Sequence, residues 1–161
     1  MITLNTNVNG EDISRSIEGS TLLIHFLRNE LGLTGTHEGC DSGHCGACTV
    51  TIDGQTVKSC MVLAASTEGG AVTTIEGIAK PSDLHPMQSA FNDHHGLQCG
   101  FCTPGMVVTA IDMVERYQKN NKLLDEDAIR QELTGNICRC TGYQNIVAAI
   151  QDGAARMQEG S

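Results

Sequence analysis

The distribution of cysteine constrains this chain more than any other feature. Its eight cysteines fall into two groups of four, Cys40, Cys45, Cys48 and Cys60, then Cys99, Cys102, Cys138 and Cys140. What such cysteines do depends on the compartment. The segment Met1-Ile2-Thr3-Leu4-Asn5 lacks the basic and apolar regions of a signal peptide, and no apolar run approaches the roughly 18 residues of a membrane span. The expected location is therefore the cytoplasm, where thiols stay reduced and disulfide frameworks are rare. Cysteines at this density then point to metal or redox chemistry.

The first group reads Cys40-x4-Cys45-x2-Cys48, the plant-type ferredoxin spacing for a [2Fe–2S] cluster, which a fourth and more distant cysteine completes. Gly39, Gly43 and Gly46 let the loop bend tightly, because glycine accepts positive φ and carries no Cβ to strike a cluster. Such a loop also aims backbone N–H groups at the ligand sulfurs, which helps to set a reduction potential. The Asp53-Gly54 turn would return the chain to the loop, so Cys60 is the expected fourth ligand. Structural zinc fits this spacing poorly, since it favours close cysteine pairs on separate knuckles. A Rieske centre needs two histidines, and only His44 adjoins a cysteine in a suitable way.

The second group is less specific on spacing alone. Cys99-x2-Cys102 with Cys138-x-Cys140 leaves zinc open, and a thioredoxin-like pair too, although the βαβ context of the latter is missing. Thr103-Pro104 opens a helix directly after Cys102, with Thr103 as cap and Pro104 at the first helical position, and the positive end of that helix favours a bound anionic cluster. Two sites of four thiolates make a short wire for electrons rather than a catalyst. No Ser/His/Asp arrangement, phosphate loop or dinucleotide fingerprint accompanies them. With a net charge of −9 and no basic patch, the chain is not suited to nucleic acid.

Hydrophobic patterning divides the chain in the same way. Residues 2–8 and 13–17 read as strands about the turn Asn9-Gly10. A helix is expected over 21–31, capped by Ser20 or Thr21 and ended by Gly32. Residues 49–52 and 55–58 alternate about Asp53-Gly54, and 72–75 would close the sheet. Beyond that the pattern is helical: 87–94; a helix from Thr103 burying Val107, Val108, Ile111, Val114 and Tyr117; a third capped by Asp125 and stopping near Gly135; and 143–157. The expected class is α+β, with one cysteine domain over residues 1–76, a linker over 77–84 and a helical domain over 85–161. His25, His94 and His95 read as surface or helix-end residues. His37 and His44 flank the first group, and Arg139 stands between two ligands, placed to offset cluster charge or to dock a partner.

The run from Gly39 to Val50, GCDSGHCGACTV, resembles the ferredoxin-like half of the molybdenum hydroxylase family, which includes xanthine dehydrogenase and aldehyde oxidoreductases. Residues 98–106, QCGFCTPGM, and 135–143, GNICRCTGY, resemble its second-cluster signatures, and the match extends from about residue 2 to residue 155. The resemblance implies a β-grasp, plant-type ferredoxin-like domain followed by a four-helix bundle, each with a [2Fe–2S] cluster. It implies that Gln98 and Cys140 approach a molybdopterin cofactor on a large subunit. Electrons would run from molybdenum through the helical domain's cluster to the other cluster, then to FAD on a medium subunit. The assembly so implied is a dimer of heterotrimers, cytoplasmic or peripheral to the inner face of the cell membrane. Residues 21–28, 57–60, 95–99 and 142–147 are most similar to the small subunit of aerobic carbon monoxide dehydrogenase, although Gly43 stands before His44 where that type would have Ser. Family members acting on aldehydes, purines, nicotinate or aromatic acyl-CoA compounds share most of these motifs. A free-standing carrier would lack the apolar docking face that a subunit should show around 98–106 and 141–143.

Overall fold

The computed structural model describes residues 1–159; residues 160 and 161, the end of the expected helical domain, lie outside the described residues. Strand β1 (Ile2–Val8) pairs antiparallel with β2 (Glu11–Ile17). Between them Asn9 and Gly10 both take positive φ, 54° and 86°, the hairpin turn whose twist matches that of the flanking strands. The same solution recurs at Asp53 (φ 49°) and Gly54 (φ 79°), between β3 (Thr49–Ile52) and β4 (Gln55–Lys58). Strand β5 (Ala71–Thr73) lies parallel to β1 and antiparallel to β3, giving the order β2-β1-β5-β3-β4. One face of this sheet sends Leu4, Val8, Val50 and Val72 against Leu23, Phe26 and Leu27.

The helix expected over 21–31 is reshaped. It is α-helical only in α1 (Leu23–His25) and then widens into a π-helical turn, Phe26–Glu30. Leu22 occupies the N-cap, and neither Ser20 nor Thr21 caps it. The reason lies in the backbone: Leu23 N donates to Val62 O at 2.7 Å and Ala64 N to Thr21 O at 2.8 Å, so this segment is held as a bridge to the 62–64 strand-like stretch. The wider turn lets Leu23, Ile24, Phe26 and Leu27 all become fully buried. The closing strand is also shorter than expected, because Ile75 leaves it to begin α2 (Ile75–Ile78).

The helical part comprises α3 (Pro86–Asp93), α4 (Thr103–Lys119), α5 (Glu126–Glu132) and α6 (Gln144–Glu159). Asp125 caps α5 by accepting from Ala128 N at 2.9 Å. Val107, Ile111 and Val114 of α4 pack with Met87 and Phe91 of α3 and with Ile146 and Ile150 of α6. The arrangement is less regular than a simple four-helix bundle. It includes the short α2 and a 3-10 turn at Leu133–Gly135, and α4 rests on β3 as well as on helices. That last contact brings the two cysteine groups together. No helix among the described residues is long and apolar enough to cross a membrane.

Candidate metal centres

The first cysteine loop connects the π-helical turn to the sheet. Cys48 immediately precedes β3, and β4 ends two residues before Cys60, so the β3–β4 register, Thr49 opposite Lys58, returns Cys60 to Cys48. Ser59 secures the return by donating from its hydroxyl to Cys48 O at 2.8 Å. Cys48 and Cys60 are buried side by side, each thiol facing the other. Cys40 and Cys45 form a second, more open pair, in which Cys45 N donates to Cys40 Sγ at 3.4 Å. Backbone N–H groups of Ser42 and Cys45 point at Cys40 and lower its pKa to about 6, whereas burial raises Cys45 and pushes Cys60 up to about 11.

The second group is assembled from two loops. Cys99 and Cys102 lie between α3 and α4; Cys138 and Cys140 lie between the 3-10 turn and α6. Cys102 itself, not Thr103, is the N-cap of α4, one residue earlier than expected, and Pro104 falls within the first turn. The thiols again pair, Cys99 with Cys140 at 3.5 Å and Cys102 with Cys138. Burial raises Cys102 to about 12. Burial also works to raise Cys138, but hydrogen bonds from Thr141 and from the Cys140 backbone outweigh it and leave the thiol below its ordinary value. Tyr143 braces this loop, accepting from Cys138 N at 2.8 Å and donating to Asn136 O at 2.9 Å.

All eight predicted cysteines therefore sit in two groups of two pairs. Among the described residues no three His, Cys, Asp or Glu side chains are placed to hold one metal ion. Pairs suit a two-iron cluster, which takes four cysteine sulfurs over two irons. Coordination would also deprotonate the high-pKa thiols outright. The donor set and its pairing thus fit a [2Fe–2S] cluster in each group.

The groups meet across a seam. Ile137 N donates to Cys45 O at 2.8 Å, and a cavity of about 190 Å³ is walled by Cys45, Phe101 and all four cysteines of the second group. Asn136, buried, donates to Gly46 O and Gly105 O, both at 3.4 Å. Gly46 (φ 76°) has no room for a side chain, since its Cβ would collide with Gly135 O. His37 bridges the loops as well: its Nδ1 lies 2.7 Å from Phe101 O and its ring stacks on Phe101 at 4.7 Å. His44 turns to Ser42, His25 to Glu38, and His94 at the end of α3 to Asp152.

Sequence reasoning missed Asn136, Lys58 and Gly105. The one available signal was Gly105, a glycine in the first turn of a helix, where it costs stability unless something lies close. The apolar surface also differs from expectation: Met106 is fully buried, while Leu97, Phe101 and Ile137 are exposed beside the second group and Met61 and Leu63 beyond the first. Gln98, Cys99, Arg139 and Cys140 are exposed.

A family described as "2Fe-2S iron-sulfur cluster binding domain" matches residues 6–73, and one described as "[2Fe-2S] binding domain" matches residues 74–151. The chain is 47% identical to the gamma subunit of caffeine dehydrogenase from a Pseudomonas species over 148 residues, covering 92% of this chain and 88% of that one. It is 40% identical over 169 residues to the iron–sulfur-binding subunit of aldehyde oxidoreductase from Escherichia coli, covering 98% and 74%. The crystal structure of quinoline 2-oxidoreductase from Pseudomonas putida superposes with a TM-score of 0.91 at 38% identity, covering 99% of this chain and 97% of that chain. The chain belongs to the iron–sulfur small-subunit family of the molybdenum hydroxylases. In this family member the two matched regions meet at residues 73 and 74, where β5 gives way to α2.

Proposed function

We propose that this chain is the electron-transferring small subunit of a multisubunit molybdenum hydroxylase, carrying electrons from a molybdopterin-bearing large subunit to an FAD-bearing medium subunit. The observation that supports this most strongly is the seam itself, where two paired-thiol groups share one cavity wall and one direct backbone hydrogen bond, Ile137 N to Cys45 O. Cys40, Cys45, Cys48 and Cys60 would hold one cluster, and Cys99, Cys102, Cys138 and Cys140 the other. When bound, each cluster accepts and releases one electron at a time. The chain's own residues set the conditions: N–H groups at Cys40 and Cys138 stabilise anionic sulfur, Asn136 and Tyr143 hold the loops in register, and the glycine seam keeps the groups close.

Exposed Gln98 and Cys140, rimmed by Leu97, Phe101 and Ile137, would face the pterin of the large subunit. Residues 1–76 would act as a β-grasp unit, 77–84 as its linker and 85–161 as the helical unit. The complex would be a cytoplasmic dimer of heterotrimers. For its substrate we put a nitrogen heteroaromatic ring or an aldehyde first, because relatives named for caffeine, quinoline and aldehydes align over nearly the whole chain. Carbon monoxide is the second reading, favoured by the runs at residues 21–28, 57–60, 95–99 and 142–147.

The test is metal analysis and EPR on the protein purified with its native partners, followed by anaerobic addition of quinoline, an aldehyde or carbon monoxide. About four irons and four acid-labile sulfides per chain, two distinct reduced signals, and co-purifying molybdenum and flavin are expected. The substrate is the compound that bleaches the visible absorption. Zinc in place of iron, or a colourless chain purifying alone, would sink the proposal.

A further inference from the structure

The hairpin that closes the first cysteine group also carries a lysine into it. The β3–β4 register sets Lys58 opposite Thr49. From there Lys58 Nζ donates to Thr49 Oγ1 at 2.9 Å, and that hydroxyl donates to Gly46 O at 2.7 Å inside the loop. Gly46 O takes the Asn136 amide as well, at 3.4 Å, and a Cβ on Gly135 would lie 3.9 Å from Nζ. Lys58 is thus half-buried where the segment leading to Cys138 meets the first loop. Thr49 adjoins Cys48, and Gly46 lies between Cys45 and Cys48, so the ammonium is bonded into the run that carries two of the four thiols. A charge withdrawn from water acts through a lower effective dielectric and is screened less by salt than a surface charge. The second group has no equivalent in Arg139, which stands between Cys138 and Cys140 but is exposed.

We infer that Lys58 is a tuning residue, whose fixed positive charge raises the reduction potential of the cluster on Cys40, Cys45, Cys48 and Cys60 relative to the one on the helical loops. The inference rests on the relay function proposed above. Reduction adds one electron, supplied through the large subunit, to a group already anionic from four thiolates. A nearby ammonium stabilises that extra charge more than it stabilises the oxidised form. Electrons entering through the helical loops are thereby drawn toward the sheet, and the bias is built into the strand register.

Redox potentiometry followed by EPR, on the purified complex carrying Lys58→Met or Lys58→Arg, reads the two clusters separately. In Lys58→Met the electron's partition should move away from the first cluster on the order of tenfold, a fall of about 59 mV for a one-electron couple. The helical cluster should keep its midpoint, and Lys58→Arg should keep both. An unchanged first-cluster midpoint in Lys58→Met, or an equal fall at both clusters, overturns the inference. If Lys58→Met fails to assemble the first cluster, Lys58→Gln, which can still donate to Thr49 without charge, carries the same measurement. Loss of that cluster in both neutral variants but not in Lys58→Arg would make Lys58 a structural part of the loop, which overturns the inference too. Absence of two [2Fe–2S] signals from the unmutated complex would instead remove the relay reading itself.

Discussion

Replacing Gly105 by alanine tests the seam most directly. Gly105 lies in the first turn of α4, three residues after Cys102, and its ideal Cβ would collide with Gly46 O while sitting 3.1 Å from both Ala47 Cα and Gly46 C. These are backbone atoms of the first cysteine loop, so no side chain can swing aside; either the loop or the helix must move. Overpacking of this kind costs about 1–3 kcal/mol, and a backbone obstacle places it at the upper end. Alanine recovers about 1 kcal/mol of helix propensity, leaving a net loss of about 2 kcal/mol. For a chain of this size that lowers the unfolding midpoint by about 4–8 °C. The assay is thermal unfolding of the assembled protein at one fixed scan rate, since loss of a bound group makes unfolding irreversible, with EPR of both clusters alongside. Gly153→Ala in α6 is the control. Its Cβ would meet the flexible end of Met87, Sδ at 2.6 Å and Cε at 2.9 Å, with the Met87 Cα at 3.2 Å the one backbone contact, so this variant should cost clearly less than Gly105→Ala, about 1 kcal/mol. If Gly105→Ala matched both the parent and Gly153→Ala in midpoint and spectra, the reasoning that the groups are locked through backbone contact would be wrong.

Cys45→Ser should remove the first cluster and leave the helical one, so iron falls from about four to about two per chain and one EPR signal is lost; disappearance of both signals with the helices intact would contradict the partition into two sites. Tyr143→Phe strips the partner from Cys138 N and Asn136 O, which should cost about 1–2 kcal/mol and perturb the helical cluster's EPR spectrum alone; an unchanged spectrum would show that the hydroxyl does not brace that loop. In the folded, cluster-free chain at pH 7, Cys40, with its pKa lowered to about 6, is mostly thiolate, whereas Cys60 and Cys102, raised to about 11 and about 12, are protonated. Iodoacetamide should therefore label Cys40 well ahead of those two, and its rate should fall as pH drops through about 6. Peptide mass mapping that found uniform labelling would refute this ordering.

The two-iron chemistry was legible in the chain because a cluster site of this kind is local. Cys40, Cys45 and Cys48 lie within nine residues, glycines mark where the loop must bend, and the Asn9-Gly10 and Asp53-Gly54 turns announce their hairpins, since only certain residues tolerate positive φ there. Asp125 and the Val107–Val114 stripe were equally readable, because caps and periodicity are properties of neighbouring residues. Other features were not local. The helix after residue 20 widened into a π turn because Thr21 bonds to Ala64 and Leu23 to Val62, some forty positions along the chain. Cys99 found Cys140, and Cys102 found Cys138, only once α3, α4 and α6 had packed.

What the order of residues determined by itself was the two groups of four cysteines, the turns and the division into a sheet-forming and a helix-forming half. Short-range sterics and side-chain chemistry decide these before any distant contact forms. What only the tertiary structure decided was proximity across that division: Gly105 against Gly46, Asn136 between them, and Ile137 on Cys45. Each of these joins segments whose separation in sequence carries no cost signal, because close packing and buried hydrogen bonds act between surfaces that exist only after α4 has settled on β3.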